Sequence, residues 1–539
     1  MSVISKGMSH KCNHTSKFQN IMGALNSDDG LLKEQVAAAC LRDLSVNGGG
    51  DIPLSNNHGK PTIASITVKK SRSVNRFTCK DLVKIQTDIQ LSDNNLVSFV
   101  SQIRATFGRK SVEPHLKEYL VELNSYLKPY FTSSTITMEY NESLDDKSKK
   151  LVHVERPVYY CKDVDVFVKL LINYRSLNPH ETLVKIGLDG GGGSLKITLN
   201  IIDMSKKRDD DVVLGKRRKY NDGVKTNTGI DTSVKKTYIL LIVPDVPETY
   251  NNLKVLLDMI DIDTVQFVIA CDLKLCNILL GLQGHTSTHC CLYCESQKPW
   301  LQTAPTRTLK SLNQSYRAYV DNGCIIKNAA KYGNVVNKPL FCDNEDTAIM
   351  DIIPPMELHL FLGPVNLLFS YITAILGKDV FKDFLISNNI VRKAYNGGGF
   401  EGNQCSKLLD LVDHIEQKFS NIKLAPYIKA LRCFKKVVDS CYSFELRSSF
   451  REDIIKFKAA YLELDIPITP KLHIIFDHIT PFCESHGKSL GIFSEQATES
   501  IHADFNKFWQ KYKVTNIENE SYRPALELAA TAYNSKHLI

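Results

Sequence analysis

Asp189 closes the apolar run LVKIGL and Asp272 closes VQFVIAC, so each acidic residue ends a strand-like segment. Far downstream, SLGIFSEQATESIHADFNKFW (489–509) offers Glu495 and Glu499, four apart and therefore on one face of a helix. Three carboxylates brought to one point form an oxygen donor set of the kind that Mg²⁺ or Mn²⁺ takes. Two such ions would serve phosphodiester cleavage, one activating the attacking hydroxyl and the other stabilising the leaving oxygen. Each residue also has a plainer role open to it. Asp189 could serve a turn, Asp272 could cap the helix LKLCNILLGL, and a glutamate pair on an amphipathic helix commonly faces solvent. Asp203 and Asp245 also follow strand-like runs and are the rival carboxylates.

A second set of residues has soft-metal spacing. HCCLYC contains Cys291-x-x-Cys294, and LHIIFDH contains His473 and His478 with four residues between them. Two cysteines and two histidines in these pairs are the ligand set of one structural Zn²⁺. The long gap between the pairs is unlike a finger and fits an ion that staples two distant segments. His285, His289 and Cys290 are neighbouring substitutes. Unrelated buried thiols and imidazoles are the competing reading, and the presence of two pairs weakens it.

The elements that must position these residues can be read from periodicity. LVKIGLD and SLKITLNIID are strand-like and are separated by Gly190, Gly191, Gly192 and Gly193, which carry no side chain and would let a DNA backbone come close. YILLIVP is a third strand, ETYNNLKVLLDMI a helix and VQFVIACD a fourth strand. Strand, strand, strand, helix, strand is the opening of an RNase H-like fold. From about residue 300 to about 515 the chain is mostly helical. Met356–Leu376 is the longest apolar stretch, but Glu357, His359, Pro364 and Asn366 interrupt it, which predicts a buried helix pair rather than a membrane span. Residues 92 to 127 predict two helices whose shared corner carries Arg104, Arg109 and Lys110. That corner either contacts DNA phosphates or is a solvated basic turn paired with Glu113 or Glu118. The polar loop 205–236 holds ten Lys/Arg and five Asp, with KRRK at 216–219, and reads as a nuclear import signal, a phosphate contact or a hairpin tip. The first 90 residues are weakly patterned. They include a helical segment at 31–44, a basic run at 68–76, and Cys12 and His14, which could end a metal module or lie in a frayed terminus.

A chain of 539 residues is long enough for roughly three domains. Its 43% hydrophobic and 23% charged content excludes collagen-like and mostly disordered classes. A net charge of +8 is compatible with nucleic acid binding without requiring it. Fifteen cysteines and an opening MSVISKGMSHKCNH with no charged-then-apolar leader predict a reducing compartment.

Together these segments resemble the catalytic subunit of the V(D)J recombinase and the related Transib transposases, over about residues 95 to 539. QIRATFGRKSVEPHLKEYL resembles that family's helix pair before the nuclease domain, and LDGGGG the segment bearing its first catalytic aspartate. VQFVIACDLKLCNILLGLQGHTSTHCCLYC resembles the strand and helix bearing the second, followed by the zinc cysteines. MELHLFLGPVNLLF and GFEGNQCSKLL resemble helical pieces of its insertion, LHIIFDH its zinc histidines and SLGIFSEQATES the stretch before its catalytic glutamate. The resemblance implies an α/β, RNase H-like mixed sheet interrupted by a large helical, zinc-stapled insertion, with an N-terminal helical DNA-binding region. It favours Glu499 over Glu495 as the third carboxylate. The implied organisation is a poorly defined region 1–90, a helical DNA-binding or dimerisation region 91–180, a catalytic half 181–300, a helical insertion with zinc 301–480, and C-terminal helices 481–539 with the catalytic glutamate. The implied activity is a DDE-type transposase or recombinase that nicks DNA, forms a hairpin and transfers a strand. Its partners would be double-stranded DNA (element ends and target), a second copy in a homodimer and an accessory protein subunit, in the nucleus and with no membrane. Two departures are visible: the first 95 residues carry no Gly-Gly-Arg-Pro-Arg-like basic segment, and no RING-like Cys/His cluster is present. A host-adopted, catalytically idle DNA-binding protein is therefore the alternative, and a helical interaction scaffold with structural zinc is a third.

Overall fold

The computed structural model describes residues 50–55, 61–66, 76–89, 93–107, 112–143, 149–205, 232, 236–262, 266–300, 302–341, 346–392, 399–512 and 514–538. Cys12, His14, the segment 31–44, most of the basic run 68–76, Arg109, Lys110 and KRRK at 216–219 lie outside these residues.

Strands β1 (Gly50–Ser55) and β2 (Pro61–Ile66) pair with each other in an antiparallel ribbon. Helices α1 (Cys79–Ile89), α2 (Asp93–Phe107) and α3 (Leu116–Leu127) follow. Apolar residues at helical spacing (Leu82 and Val83; Leu96, Val100 and Ile103; Leu116 and Leu120) close a small core of their own.

The next two elements correct the sequence-based expectation of a helical region over 91–180. β3 (Phe131–Ser143) and β4 (Lys149–Cys161) are strands of 13 residues each, paired along their whole length. Their sequences, FTSSTITMEYNES and KKLVHVERPVYYC, are rich in β-branched and aromatic residues, which suit a pleated surface. Many of those residues are polar, so the strands lack a continuous apolar run.

β3 and β4 join β5 (Thr182–Asp189), β6 (Ser194–Asp203), β7 (Thr237–Pro244) and β8 (Val268–Cys271) in one sheet of order β3-β4-β7-β6-β5-β8. Neighbours are antiparallel except β5 and β8, which run parallel. β7 is buried along its whole length, as is β6 up to its last residue, so both of their faces are covered. Helices α4 (Val164–Tyr174) and α5 (Tyr250–Ile260) pack on the sheet, and so do two helices from the far end of the chain, α16 (Gln496–Trp509) and α17 (Tyr522–Ser535).

Between β8 and α16 the chain is helical. α6 (Leu273–Leu279) and α7 (Leu309–Asp321) lead to α8 (Glu357–Leu376). Then come α9 (Lys378–Ser387), α10 (Gly402–Asp410), α11 (Val412–Phe419), α12 (Ala425–Cys441), α13 (Phe450–Leu462), α14 (Pro470–Asp477) and α15 (Ile479–His486). α8 is one helix of 20 residues, not the expected pair. Pro364 removes one backbone donor inside it, at a typical cost of about 3 kcal/mol. Burial of Leu360, Phe361, Val365, Leu368, Phe369 and Ile372 on one helix holds it together regardless. α8 is long and apolar enough to cross a membrane. In this fold it packs against α9, α10, α12 and α14. The whole is a mixed α/β architecture with a six-stranded mixed sheet.

Candidate active site and metal centre

In the parallel pair Leu188 lies opposite Cys271, so the next residues, Asp189 and Asp272, leave neighbouring strands side by side, with the strands about 4.8 Å apart. Asp272 also caps α6, its Oδ1 accepting from Leu275 N at 2.7 Å. The plainer role for this residue is thus real, and it occupies one of two carboxylate oxygens.

α16 is drawn against β5 because β5 has a glycine where the helix crosses it. A Cβ on Gly187 would stand 2.1 Å from Thr498 Oγ1. Behind this contact the helix presents a stripe of polar residues at helical spacing: Glu495, Glu499, His502 and Asn506. His502 Nε2 lies 3.0 Å from Asp189 Oδ2, and Asn506 donates to the Gly192 carbonyl at 3.1 Å. Glu499 lies one turn before His502 on this stripe, its Oε1 3.6 Å from His359 Nε2 and its side chain 42% exposed.

Glu495 has a different task. It is buried, and its carboxylate accepts from the backbone N of His359 at 2.9 Å and of Leu358 at 3.3 Å, with His359 Nδ1 at 2.8 Å. These donors are the first turn of α8, a natural anion site. Both Glu495 oxygens are committed, which leaves Glu499 to the open side.

The face of the sheet under α16 is polar. Lys196 stands opposite Asp189 in register, Thr198 opposite Gly187 and Asn200 opposite Lys185. Lys185 Nζ donates to the Ser494 carbonyl at 2.7 Å. Burial pushes Lys185 down to about 8 and Lys196 down to about 7, with Glu495 and Asp189 respectively opposing it. Glu357, which accepts from Ser494 Oγ and Gln496 Nε2 at 2.9 and 2.8 Å, is pushed up to about 7 by burial and by Glu495. Burial likewise lowers Lys471, against the fields of Glu495, Asp272 and Glu499, all of which this side chain feels.

The glycine loop serves the protein more than open space. A Cβ at Gly190 would meet Glu248, one at Gly191 His502, and one at Gly192 Asn506; only Gly193 faces nothing within 4 Å. Of the rival acids, Asp203 pairs in register with Thr182, at the other end of β5 from Asp189 and about 23 Å away at roughly 3.3 Å per residue. Asp245 is held by Arg156 at 2.9 Å.

Cys291, Cys294, His473 and His478 are all buried, and their ligand atoms lie within 4.8 Å of one another. Each cysteine Sγ is 3.3 Å from a histidine Nε2 (Cys291 to His478, Cys294 to His473), and the two Nε2 atoms are 3.2 Å apart. A tetrahedral zinc with bonds of about 2.3 Å to sulfur and 2.0–2.1 Å to nitrogen sets such atoms about 3.3–3.8 Å apart. The group could therefore bind one structural metal ion such as zinc. Asp477 Oδ2 lies 2.8 Å from His473 Nδ1, which turns Nε2 toward the ligand group. The Cys291 hydrogen bond draws the Cys294 thiol far below its ordinary range, while burial raises Cys291. Arg307, fully buried, donates to the Cys294 and Gly333 carbonyls at 2.9 Å and holds the cysteine turn in shape. The Trp300 ring stacks on His473. The cluster ties the segment after Asp272 to α14, whose Lys471 side chain packs on Gly363 of α8.

At the N-terminal corner, the Arg104 guanidinium donates to the backbone carbonyl of Glu113 at 2.8 Å. The Glu113 carboxylate is used elsewhere, accepting from Cys79 N at 2.8 Å. Arg76, Arg104 and His115 line a cavity of about 510 Å³.

His502, Lys196, His359, Lys471, Asp477 and Arg307 were not singled out as site residues from sequence. Two of them carried a signal: Lys196 places a charge inside the strand-like run SLKITLNIID, and His502 follows Glu499 at the i+3 position of one helix.

Residues 230–304 match a family described as a domain of unknown function (DUF8703). That span contains β7, α5, β8, Asp272, Cys291 and Cys294. No curated protein matches the chain.

Proposed function

We propose that the chain is the core of a DDE-type DNA transposase or recombinase, with Asp189, Asp272 and Glu499 as the acidic residues of an RNase H-like nuclease. The observation that carries this reading is the meeting of three remote segments: two adjacent parallel strand ends and a helix that crosses the first of them. The strand order β7-β6-β5-β8, antiparallel except for its last pair, supports the fold assignment, with β3 and β4 as additions at the edge.

The donor set suits Mg²⁺ or Mn²⁺, because it consists of carboxylate oxygens at the rim of a sheet. When bound, two such ions supply an activated hydroxyl and a stabilised leaving oxygen. Asp189, Asp272 and Glu499 would hold them. Glu495 fixes the start of α16 on α8, and Gly187 lets Thr498 seat that helix on β5, so the third carboxylate is set by contacts on both sides of it. The same reading takes DNA, both element ends and target, as the substrate, held by a homodimer with or without an accessory subunit, in the nucleus. Arg104, Arg109 and Lys110 would contact phosphates, and zinc at the Cys/His group would hold the helical half in place.

The test is to incubate the purified full chain with duplex DNA carrying the sequences that flank its gene, in Mg²⁺ or Mn²⁺. Nicks that mature to hairpins support the reading. Salt-sensitive binding with no cleavage supports an idle, host-adopted protein instead.

A further inference from the structure

We propose that Lys196 and His502 are positioning residues that orient Asp189. Lys196 donates to His502 Nδ1, which keeps the ring proton on Nε2 facing Asp189 Oδ2, so that this oxygen is held by the protein and the other is presented to a divalent ion. The inference rests on the reading of Asp189 as an ion ligand.

Lys196 is fully buried directly across the sheet from Asp189, and its Nζ lies 2.8 Å from His502 Nδ1. Burial favours the neutral amine and the Asp189 carboxylate favours the ammonium; the ammonium can only donate, so with it Nδ1 accepts, and a neutral imidazole that accepts at Nδ1 carries its hydrogen on Nε2. The Phe505 ring, 5.4 Å from Nζ, favours the charged form. His502 Nε2 is buried and has no straight hydrogen-bond partner among the described residues, although Asp189 Oδ2 is only 3.0 Å away. The contact is close and bent. Gly191 completes the arrangement, since a Cβ there would stand 3.3 Å from the ring and 3.4 Å from Asp189 Oδ2. A ligand carboxylate fixed by a neighbouring hydrogen bond binds its ion in one orientation, and loss of such outer partners typically weakens metal binding by about 10–100-fold.

The test uses the full, zinc-loaded chain and reads Mn²⁺ affinity by titration calorimetry and Mn²⁺ paramagnetic resonance, with ring-nitrogen NMR of labelled histidine. The wild type should show His502 in the Nε2–H tautomer. His502→Leu should lower Mn²⁺ affinity by about 10–100-fold. His502→Gln, whose amide can still reach Asp189, should recover most of that loss, and Lys196→Met should release the tautomer and weaken binding as well. An Nδ1–H tautomer in the wild type overturns the proposal, and this measurement does not depend on the variants folding. Wild-type Mn²⁺ affinity in His502→Leu, beside a loss in Asp189→Ala, also overturns it while leaving the nuclease reading intact. If Asp189→Ala also binds Mn²⁺ as the wild type does, the nuclease reading itself fails.

Discussion

Gly187→Ala probes the closest approach between the sheet and the helix that carries Glu499. The added Cβ would stand 2.1 Å from Thr498 Oγ1, 2.8 Å from Thr498 Cγ2 and 2.5 Å from Thr198 Oγ1. Ordinary contact begins near 3.5 Å, so helix and strand must separate by about 1.4 Å along the worst line. Both branches of the Thr498 side chain are too close, and a β-branched side chain has few rotamers in a helix. α16 cannot slide away unopposed, because Glu495 is tied to the start of α8 and His502 lies against Lys196 and Asp189. The displacement therefore reaches Glu499, the next residue. Overpacking of this kind costs about 1–3 kcal/mol of stability, and a misplacement of about 1 Å can lower a rate about 100-fold. Single-turnover nicking, read beside thermal unfolding, should show a large rate loss with a modest drop in melting temperature. Adding Thr498→Ala removes two of the three clashes and should restore part of the rate, a coupling that two independent sites would not show. A Gly187→Ala protein that nicks and melts like the wild type would refute the claim that this contact sets the third carboxylate.

Three further outcomes follow from the same contacts. The purified chain should hold one zinc ion. Cys294→Ser should lose it with a clear fall in melting temperature, and Asp477→Asn should weaken its retention against a chelator by about 10–100-fold; a folded, zinc-free wild type contradicts the site. Glu357, raised from 4.5 to about 7, binds its proton more tightly folded than unfolded. Its contribution is therefore full below about 4.5 and lost as pH rises through about 7, a change of about 3 kcal/mol at 1.36 kcal/mol per pKa unit. Glu357→Gln should flatten the pH dependence of stability across that window, and an unchanged slope counts against the burial argument. Arg104→Ala should reduce the log–log salt dependence of DNA binding by about 0.9, whereas an unchanged slope would leave Arg104 as a latch on the Glu113 carbonyl alone.

The parts of the fold legible in sequence are those whose surroundings impose one pattern. β5, β6 and β7 are covered on both faces and so read as apolar runs, and the acids that end β5 and β8 stand out against them. Cys291 and Cys294, with His473 and His478, were legible because metal ligation requires a few residue types at short local spacing. β3 and β4 were missed because their alternation places threonine, serine, glutamate and histidine among the apolar positions, which weakens the contrast on which periodicity depends. The choice between Glu495 and Glu499 was beyond local pattern, since both share a helix face. It turns on the backbone donors of Leu358 and His359, which lie far away in sequence. Lys185 and Lys196 carry charge into a buried strand, and their partners, Ser494 and His502, come from the far end of the chain.

The central claim is tested most directly by comparing single-strand nicking in Mg²⁺ and in Mn²⁺ for Asp189→Ala, Asp272→Ala, Glu499→Ala and Asp245→Ala, with DNA affinity measured alongside. The first three should lose nicking while keeping DNA affinity near that of the wild type, because ion-bound carboxylates act on the transition state rather than on docking. Asp245→Ala should still nick, since that carboxylate is engaged with Arg156. Normal nicking by Asp272→Ala together with loss in Asp245→Ala would contradict the assignment of the acidic residues.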